Sequence, residues 1–486
     1  MTIVDEVVRA RSRQVNAREL AEVYTALADR DGAFDTAVPS VLFAGVEPAP
    51  EQVERLRRFG FTVVERDCPC GVGALIVGGT LHGTWFPLDV DPNGRIADVV
   101  DFAVAARLRE WAGAMARPEF TKMHKPGSDS RGVVQFRVDG ADIVAKVGDA
   151  AAIAGEVAFA CEVNALLAKD GRRGLFPEVH GVHHEGTQAV SLMEAGLPLP
   201  LSPLFADDER TTLAAAALDQ LEPHLDQVGA WYRLTAGTQR PTVADYLYRE
   251  RYHILCGQTD FLATFAALFP ETGLDDMLEA RIVLPGGTVM DGYRAAVSWL
   301  DQVAPDLLPN QGSAVHGDIY AANMLLRADG SPVLIDPRTV WEGRDRPDVG
   351  YGDPVFDFAT LLHGVFPMAA ILRAAEEGTQ DRLVDDVRPV DGVLDLTSLR
   401  LPLRFPGSVD ALIERMLRAL PHDEPRAHTT ARLYIGAATS LAGWLKYLRS
   451  LRSPQAWLAT FAYVGWYLRM AREVWEDGFS KGKKDS

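Results

Sequence analysis

The sequence predicts an α+β chain in three stretches: a small α/β segment over 1–112, a β-rich lobe with one helix over 118–196, and a helical lobe over 197–486. Three observations predict it. Short apolar runs alternate with amphipathic stretches in the first part. Alternating residues punctuated by Gly, Asp and Pro clusters fill the second, and helical periodicity dominates after Pro203. At roughly 100–200 residues per domain, 486 residues imply two to four folding units. A hydrophobic share of 47% beside 24% charged residues is the balance of a globular chain, which excludes disorder.

Residues 1–30 read as a helix of mixed charge, carrying Val7, Val8, Leu20, Val23, Tyr24 and Leu27. Val38–Val46 is apolar and β-rich. Pro48 and Pro50 open a helical stretch with Val53, Leu56 and Phe59, and Gly60 stops it. Phe61–Glu65 and Ala74–Val77 read as further strands and Asp98–Ala112 as a helix, giving β-α-β-β-α. Gly71, Gly73, Gly78 and Gly79 read as turn residues. In the second stretch Phe120–Lys125, Val133–Val138 and Ile143–Val147 alternate as strands, separated by a turn cluster at 126–132 and a hairpin turn at Asp139-Gly140. Ile153–Lys169 reads as a helix, and Glu178–Val182 and Ala189–Met193 as two more strands. In the helical lobe, short strands are expected at Met324–Leu326 and Val333–Ile335. The aromatic set Tyr434, Trp444, Tyr447, Trp457, Tyr463, Trp466 and Tyr467 has helical spacing and reads as core.

Composition excludes several classes. With 49 Lys+Arg against 67 Asp+Glu the formal net charge is −18, which repels phosphate backbones and argues against nucleic acid as a partner. The apolar run Ala456–Leu468 stops at Arg469, short of the about 20 residues a membrane span needs, so no span is expected. The N-terminus shows no signal-peptide pattern. Four cysteines form no disulfide framework, and Cys68 and Cys70 lack a second pair to complete a zinc set. A cytoplasmic location is the expectation.

The informative stretch runs from Val315 to Arg338. It places His316, Asp318 and Asn323 in the spacing His-x-Asp-x-x-x-x-Asn. An apolar strand, a turn at Asp329-Gly330 and a second apolar strand then deliver Asp336. A loop and hairpin thus bring two acids and one amide toward a common point, as phosphoryl transfer requires. Mg²⁺ takes few protein oxygens and completes its shell with phosphate and water, so Asn323 and Asp336 are the expected ligands. Asp318, facing an acceptor hydroxyl, orients it and takes its proton. Upstream, Lys146 ends the third strand of the β-rich lobe, where its expected job is to hold nucleotide phosphates. A carboxylate from the next helix would hold the Lys in turn. Glu162 is preferred for that, with Glu156 the open alternative. Ser128 and Ser130 are candidate phosphate donors on the hairpin loop. The backbone around Met193 and Ala195, at the end of the β-rich lobe, is a candidate adenine contact. The expectation is that side chains 146, 318, 323 and 336 converge on one triphosphate cleft between the lobes.

On Lys146, Glu162, His316-Gly317-Asp318, Asn323 and Ile335-Asp336, the chain resembles the aminoglycoside phosphotransferase and choline kinase family, relatives of the eukaryotic-like protein kinases. The resemblance covers about residues 118–370. Ile335–Arg338 followed by Tyr351–His363 is similar to members associated with sugar and polysaccharide metabolism. The resemblance implies a bilobal protein-kinase-like fold, ATP (less often GTP) with Mg²⁺, and transfer to a small-molecule hydroxyl. Within it, Asp318 is the implied catalytic base and Asn323 and Asp336 the implied metal ligands. The chain departs from the family at Ile319–Ala322, and Pro337-Arg338 stands where a protein kinase carries the Gly of Asp-Phe-Gly.

Around this core, His316 is expected to brace the loop and Asp357 to tie it to the following helix. Arg338 clamps a phosphate or an anionic acceptor, or pairs with Asp353. Trp341 and Asp353 are candidate acceptor contacts, and an ordinary solvated loop is the competing reading of 341–348. His180, His183 and His184 read as surface residues of a β-lobe turn. The leading function is an ATP·Mg²⁺-dependent O-phosphotransferase acting on a sugar or sugar-containing metabolite. An antibiotic kinase, whose cationic aminoglycoside the acidic charge suits, comes second. A nucleotide-binding pseudoenzyme comes third.

Overall fold

A computed structural model describes residues 13–14, 39–66, 72–77, 84–88, 92–112, 119–124, 130–138, 141–185, 187–199, 201, 211–338, 340–341, 344–345, 350–385, 387–421 and 424–482. The chain divides into two compact units, one of Met1–Ala158 with Pro177–Ala195 and one of Phe159–Phe176 with Gly196–Ser486.

The first unit holds two five-stranded sheets. In one, the strands run in the order Arg13–Gln14, Thr84–Pro87, Gly73–Val77, Ser40–Ala44, Thr62–Arg66. Ser40–Ala44 and Thr62–Arg66 are parallel, with Val41 opposite Val63, because helix Pro50–Arg58 carries the chain back between them. Gly60, at φ +78°, ends that helix in the left-handed conformation that costs glycine least. Two details differ from the sequence reading. Arg13–Gln14 pair with Thr84–Trp85 as a strand, within the stretch expected to be helical; the rest of 1–30 lies outside the described residues. Thr84–Pro87 is an additional strand. Cys68 and Cys70 also lie outside the described residues.

The second sheet runs Glu119–His124, Ser130–Val138, Ala141–Asp149, Gln188–Glu194, Val179–Glu185, all antiparallel. His180, His183 and His184 are exposed on its edge strand, a strand position where a turn was expected. One buried core serves both sheets. Val41, Phe43, Ile76, Phe86 and Val100 from the N-terminal segment join Val134, Phe136, Ile143, Ala145, Val147 and Leu192. A side-chain carbon added at Gly132 would lie 3.6 Å from Arg58 Cβ, so the end of helix Pro50–Arg58 rests beside strand Ser130–Val138.

The second unit is helical around one large apolar core. Two of its helices, Arg426–Trp444 and Pro454–Gly482, bury Tyr434, Trp457, Tyr463, Trp466 and Tyr467, as the aromatic spacing predicts. Tyr447 departs from that set: it is 47% exposed, with Lys446 Nζ 5.2 Å from its ring centre. Two helices among the described residues are long and apolar enough to cross a membrane, Ala150–Lys169 and Pro354–Glu376. The second is mostly buried inside its own unit. The first carries Glu156 in an ion pair.

Candidate active site

The loop Val315–Asn323 is fixed by its own main chain before any side chain acts. Gly317 sits at φ +84°, a conformation glycine adopts without strain. The Asp318 N–H donates to His316 Nδ1 at 3.2 Å. Nδ1 is therefore an acceptor, so Nε2 carries the proton and donates it to the Ile335 carbonyl at 2.8 Å. Both ring nitrogens of His316 are thus committed to holding the loop against the strand that delivers Asp336. Phe176 stacks on the imidazole, 5.8 Å between ring centres and 7° from parallel. Acid–base work has no place in that arrangement.

Asp357, fully buried, holds the loop from the other side. Its Oδ2 accepts from the His316 N–H at 2.7 Å and from the Tyr232 hydroxyl at 2.9 Å, and its Oδ1 accepts from the Gly317 N–H at 2.6 Å. Thr360 Oγ1 adds a bond to the Ile319 carbonyl at 3.0 Å. Burial raises the Tyr232 phenol well above its ordinary pKa, and the Asp357 charge adds to the rise, so Tyr232 stays a donor.

Asn323 Nδ2 donates to the Asp318 carbonyl at 3.0 Å, and the Ile335 N–H donates to the Asn323 carbonyl at 3.0 Å. The hairpin Met324–Leu326 and Pro332–Leu334, turned at Gly330 (φ +82°), then places Asp336. Asp336 is a non-glycine residue at φ +58°, a sparsely populated conformation that Asp tolerates better than most. Asp318, Asn323 and Asp336 therefore stand on backbone segments bonded directly to one another. Tyr320 lies between them. Burial, then Asp318 and Asp336, push its phenol up to about 12.

This donor set fits a hard divalent cation. The Asn323 side chain, 4% exposed, spends its N–H₂ on the loop and accepts from no described residue, which leaves its oxygen for a ligand. Asp336 adds a carboxylate. No group of three His, Cys, Asp or Glu side chains suited to a metal occurs among the described residues. Mg²⁺ does not need one when it is held by one or two protein oxygens plus phosphate and water.

In the first unit Lys146 pairs with Glu156, Nζ to Oε2 at 2.6 Å, with side-chain exposures of 7% and 15%. The preference for Glu162 is thereby corrected, since Glu162 is exposed. The reason is helix phase. Asp149 accepts from the Ala151 and Ala152 N–H groups and starts the helix at Ala150, placing Glu156 in the second turn. Glu162 lies six residues on, about 600° of rotation later and on another face. Glu156→Gln is expected to cost about 1–3 kcal/mol by leaving the Lys146 ammonium buried beside a neutral amide. Glu162→Gln should stay within about 0.5 kcal/mol of the parent. Urea denaturation of both variants decides.

The other expected positions fare differently. Ser130 is not on a hairpin loop: it pairs with Gly148 inside strand Ser130–Val138, which starts earlier than the alternation suggests. Ser128 and the 139–140 turn lie outside the described residues. Met193 is half-buried near the end of strand Gln188–Glu194, and the Ala195 N–H donates to the Asp142 carbonyl at 3.3 Å, leaving its own carbonyl to offer. Asp353 is corrected as an acceptor contact. It is 2% exposed, caps helix Pro354–His363 through the Val355 N–H, and accepts from the Tyr248 hydroxyl at 2.8 Å and from Arg432 Nε at 2.9 Å. Its cationic partner is thus Arg432 and not Arg338. Arg338 is half-buried, with its N–H on the His316 carbonyl at 2.8 Å. Trp341 belongs to the short hairpin Val340–Trp341 with Arg344–Asp345; its side chain lies outside the described residues. Tyr232, Phe176, Tyr320 and Arg432 were missed. Only Tyr320 carried a signal, its place inside the motif.

A family model described as the phosphotransferase enzyme family matches residues 125–393, more than half of the chain. No curated protein matches it. Among solved structures, the chain is similar to the choline kinase LicA from Streptococcus pneumoniae, at 10% identity over 72% of this chain and 94% of that one, with a TM-score of 0.39. It is similar to a candidate fructosamine-3-kinase from Haemophilus somnus 129PT, at 13% identity over 74% and 94%, with a TM-score of 0.39. A spectinomycin phosphotransferase, solved with ADP and spectinomycin, gives 9% identity over 76% and 96%, with a TM-score of 0.42.

Proposed function

This chain belongs to the phosphotransferase enzyme family, and on that premise we propose that it moves the γ-phosphate of ATP to a hydroxyl of a sugar or sugar-containing metabolite. One observation supports the reading above the rest. The Asn323 amide on the Asp318 carbonyl, and the Ile335 N–H on the Asn323 carbonyl, gather Asp318, Asn323 and the strand leading to Asp336 on one braced loop. Asp318 is then the group that orients the acceptor hydroxyl and receives its proton as the oxygen attacks. Lys146, kept charged and aimed by Glu156, holds nucleotide phosphate. Asn323 and Asp336 hold Mg²⁺, which when bound neutralises charge on the transferring phosphate. Asp357 and His316 keep the loop in place, so little reorganisation accompanies the reaction. GTP in place of ATP is the alternative donor, and the cysteine usage suits a cytoplasmic enzyme.

The net charge of −18 favours a second reading, an antibiotic kinase acting on a cationic aminoglycoside. One experiment separates the readings. ATP consumption and product mass are measured with Mg²⁺ and D-glucose, D-mannose, N-acetyl-D-glucosamine, myo-inositol, choline or kanamycin. A phosphorylated hexose or cyclitol supports the sugar reading, and preference for kanamycin replaces it with the second. Nucleotide binding without transfer to any acceptor defeats both.

A further inference from the structure

Tyr320 lies between Asp318 and Asn323, yet its side chain has no part in building the loop. The loop is held by other groups. The Asp318 carbonyl accepts from the Tyr320 N–H at 3.0 Å and from Asn323 Nδ2, the Tyr320 carbonyl accepts from the Asn323 N–H at 2.8 Å, and the Ile319 carbonyl accepts from Thr360. The phenol is half-buried, and its hydroxyl makes no hydrogen bond to any described residue. Space is kept for it. At Gly364, a side-chain carbon would come within 3.2 Å of Tyr320 Cβ, so the chain leaving helix Pro354–His363 is bare where the tyrosine leaves the loop.

The neighbouring charges on this part of the loop are the carboxylates of Asp318 and Asp336, which only accept hydrogen bonds when ionised. A polyhydroxyl acceptor that gives one proton to Asp318 has a second oxygen whose lone pairs need a donor, and the phenol is a donor on the same loop. We propose that Tyr320 belongs to the acceptor site, its hydroxyl donating to the acceptor oxygen adjacent to the one that becomes phosphorylated. The acceptor is therefore a vicinal polyol. This inference rests on the phosphotransferase reading above and narrows its substrate class.

The test takes the acceptor that the wild-type enzyme phosphorylates from the panel, together with its monodeoxy analogues, and compares wild type with Tyr320→Phe. The acceptor KM is expected to rise about three- to tenfold, as for loss of one neutral hydrogen bond, with the ATP KM and the thermal midpoint unchanged. With the analogue lacking the adjacent hydroxyl, the two enzymes should become equal. An unchanged acceptor KM in Tyr320→Phe, a matching rise in the ATP KM, or an equal penalty on every deoxy analogue overturns the assignment and leaves the parent reading intact. A wild-type enzyme that transfers phosphate to nothing overturns both.

Discussion

Asp318→Asn is expected to lower kcat by about 10²–10⁴-fold while leaving the ATP dissociation constant within about twofold, because general-base catalysis by a positioned side chain contributes in that range. The substitution is nearly isosteric and removes the ability to take a proton. Main-chain bonds that hold residue 318 survive the substitution: its N–H to His316 Nδ1, and its carbonyl to Tyr320 and Asn323. An unchanged thermal midpoint would certify that the loop survives, so a fall in kcat can be read as lost chemistry. Retention of near-normal kcat would remove Asp318 from the base role. Asp357→Asn makes an informative contrast. It breaks a carboxylate that accepts from two loop N–H groups and Tyr232, so it should lower stability and turnover together.

What was legible in the sequence follows from how far each feature depends on distant residues. His316, Asp318, Asn323 and Asp336 form a local pattern, and the hairpin that joins them has its turn written as Asp329-Gly330. Bonds between neighbouring segments then bring them together, and Asp357 and Thr360 brace the loop from the following helix. The choice between Glu156 and Glu162 was harder because helix phase depends on where the helix starts, and Asp149 starts it three residues before the periodic apolar pattern begins. That cap was readable as an Asp before an apolar run. Asp353 followed by Pro354 was readable in the same way, as a cap with proline in the first turn, and the cap is its role. Arg13–Gln14 is too short for any periodicity to announce it. The core shared by both sheets of the first unit was not legible, since Val41 and Val134 join one buried cluster only through tertiary packing.

Arg432 is the strongest case of information absent from local sequence, and it carries the second large effect. It is 79 residues from Asp353 in the chain. Its guanidinium donates to Asp353, to Glu424 and to the Leu307 carbonyl, with side-chain exposures of 4% for Arg432 and 3% for Asp353. Burial works against its charge, but Asp353 and then Glu424 raise its pKa by more, so it stays a cation. Replacing Arg432 with Met keeps apolar bulk but leaves the Asp353 carboxylate buried without its counter-charge. A cost of about 3–5 kcal/mol is expected for breaking such a pair from one side. Asp353→Asn alone should cost less, because the amide oxygen still accepts from the Val355 N–H and Glu424 still pairs with Arg432. The double variant should lose less than the sum of the two by about 1–3 kcal/mol, since the stranded charge is gone. Chemical denaturation of the four proteins gives the cycle, and strict additivity would show that the two residues do not act as a pair. The effect should reach the active site by a short route. Asp353 begins the helix on which Asp357 stands one turn later, and Asp357 holds the His316 and Gly317 amides. Turnover in Arg432→Met should therefore fall even at temperatures where the protein remains folded, whereas an equally destabilising cavity made far from that helix should leave kcat of the folded fraction unchanged.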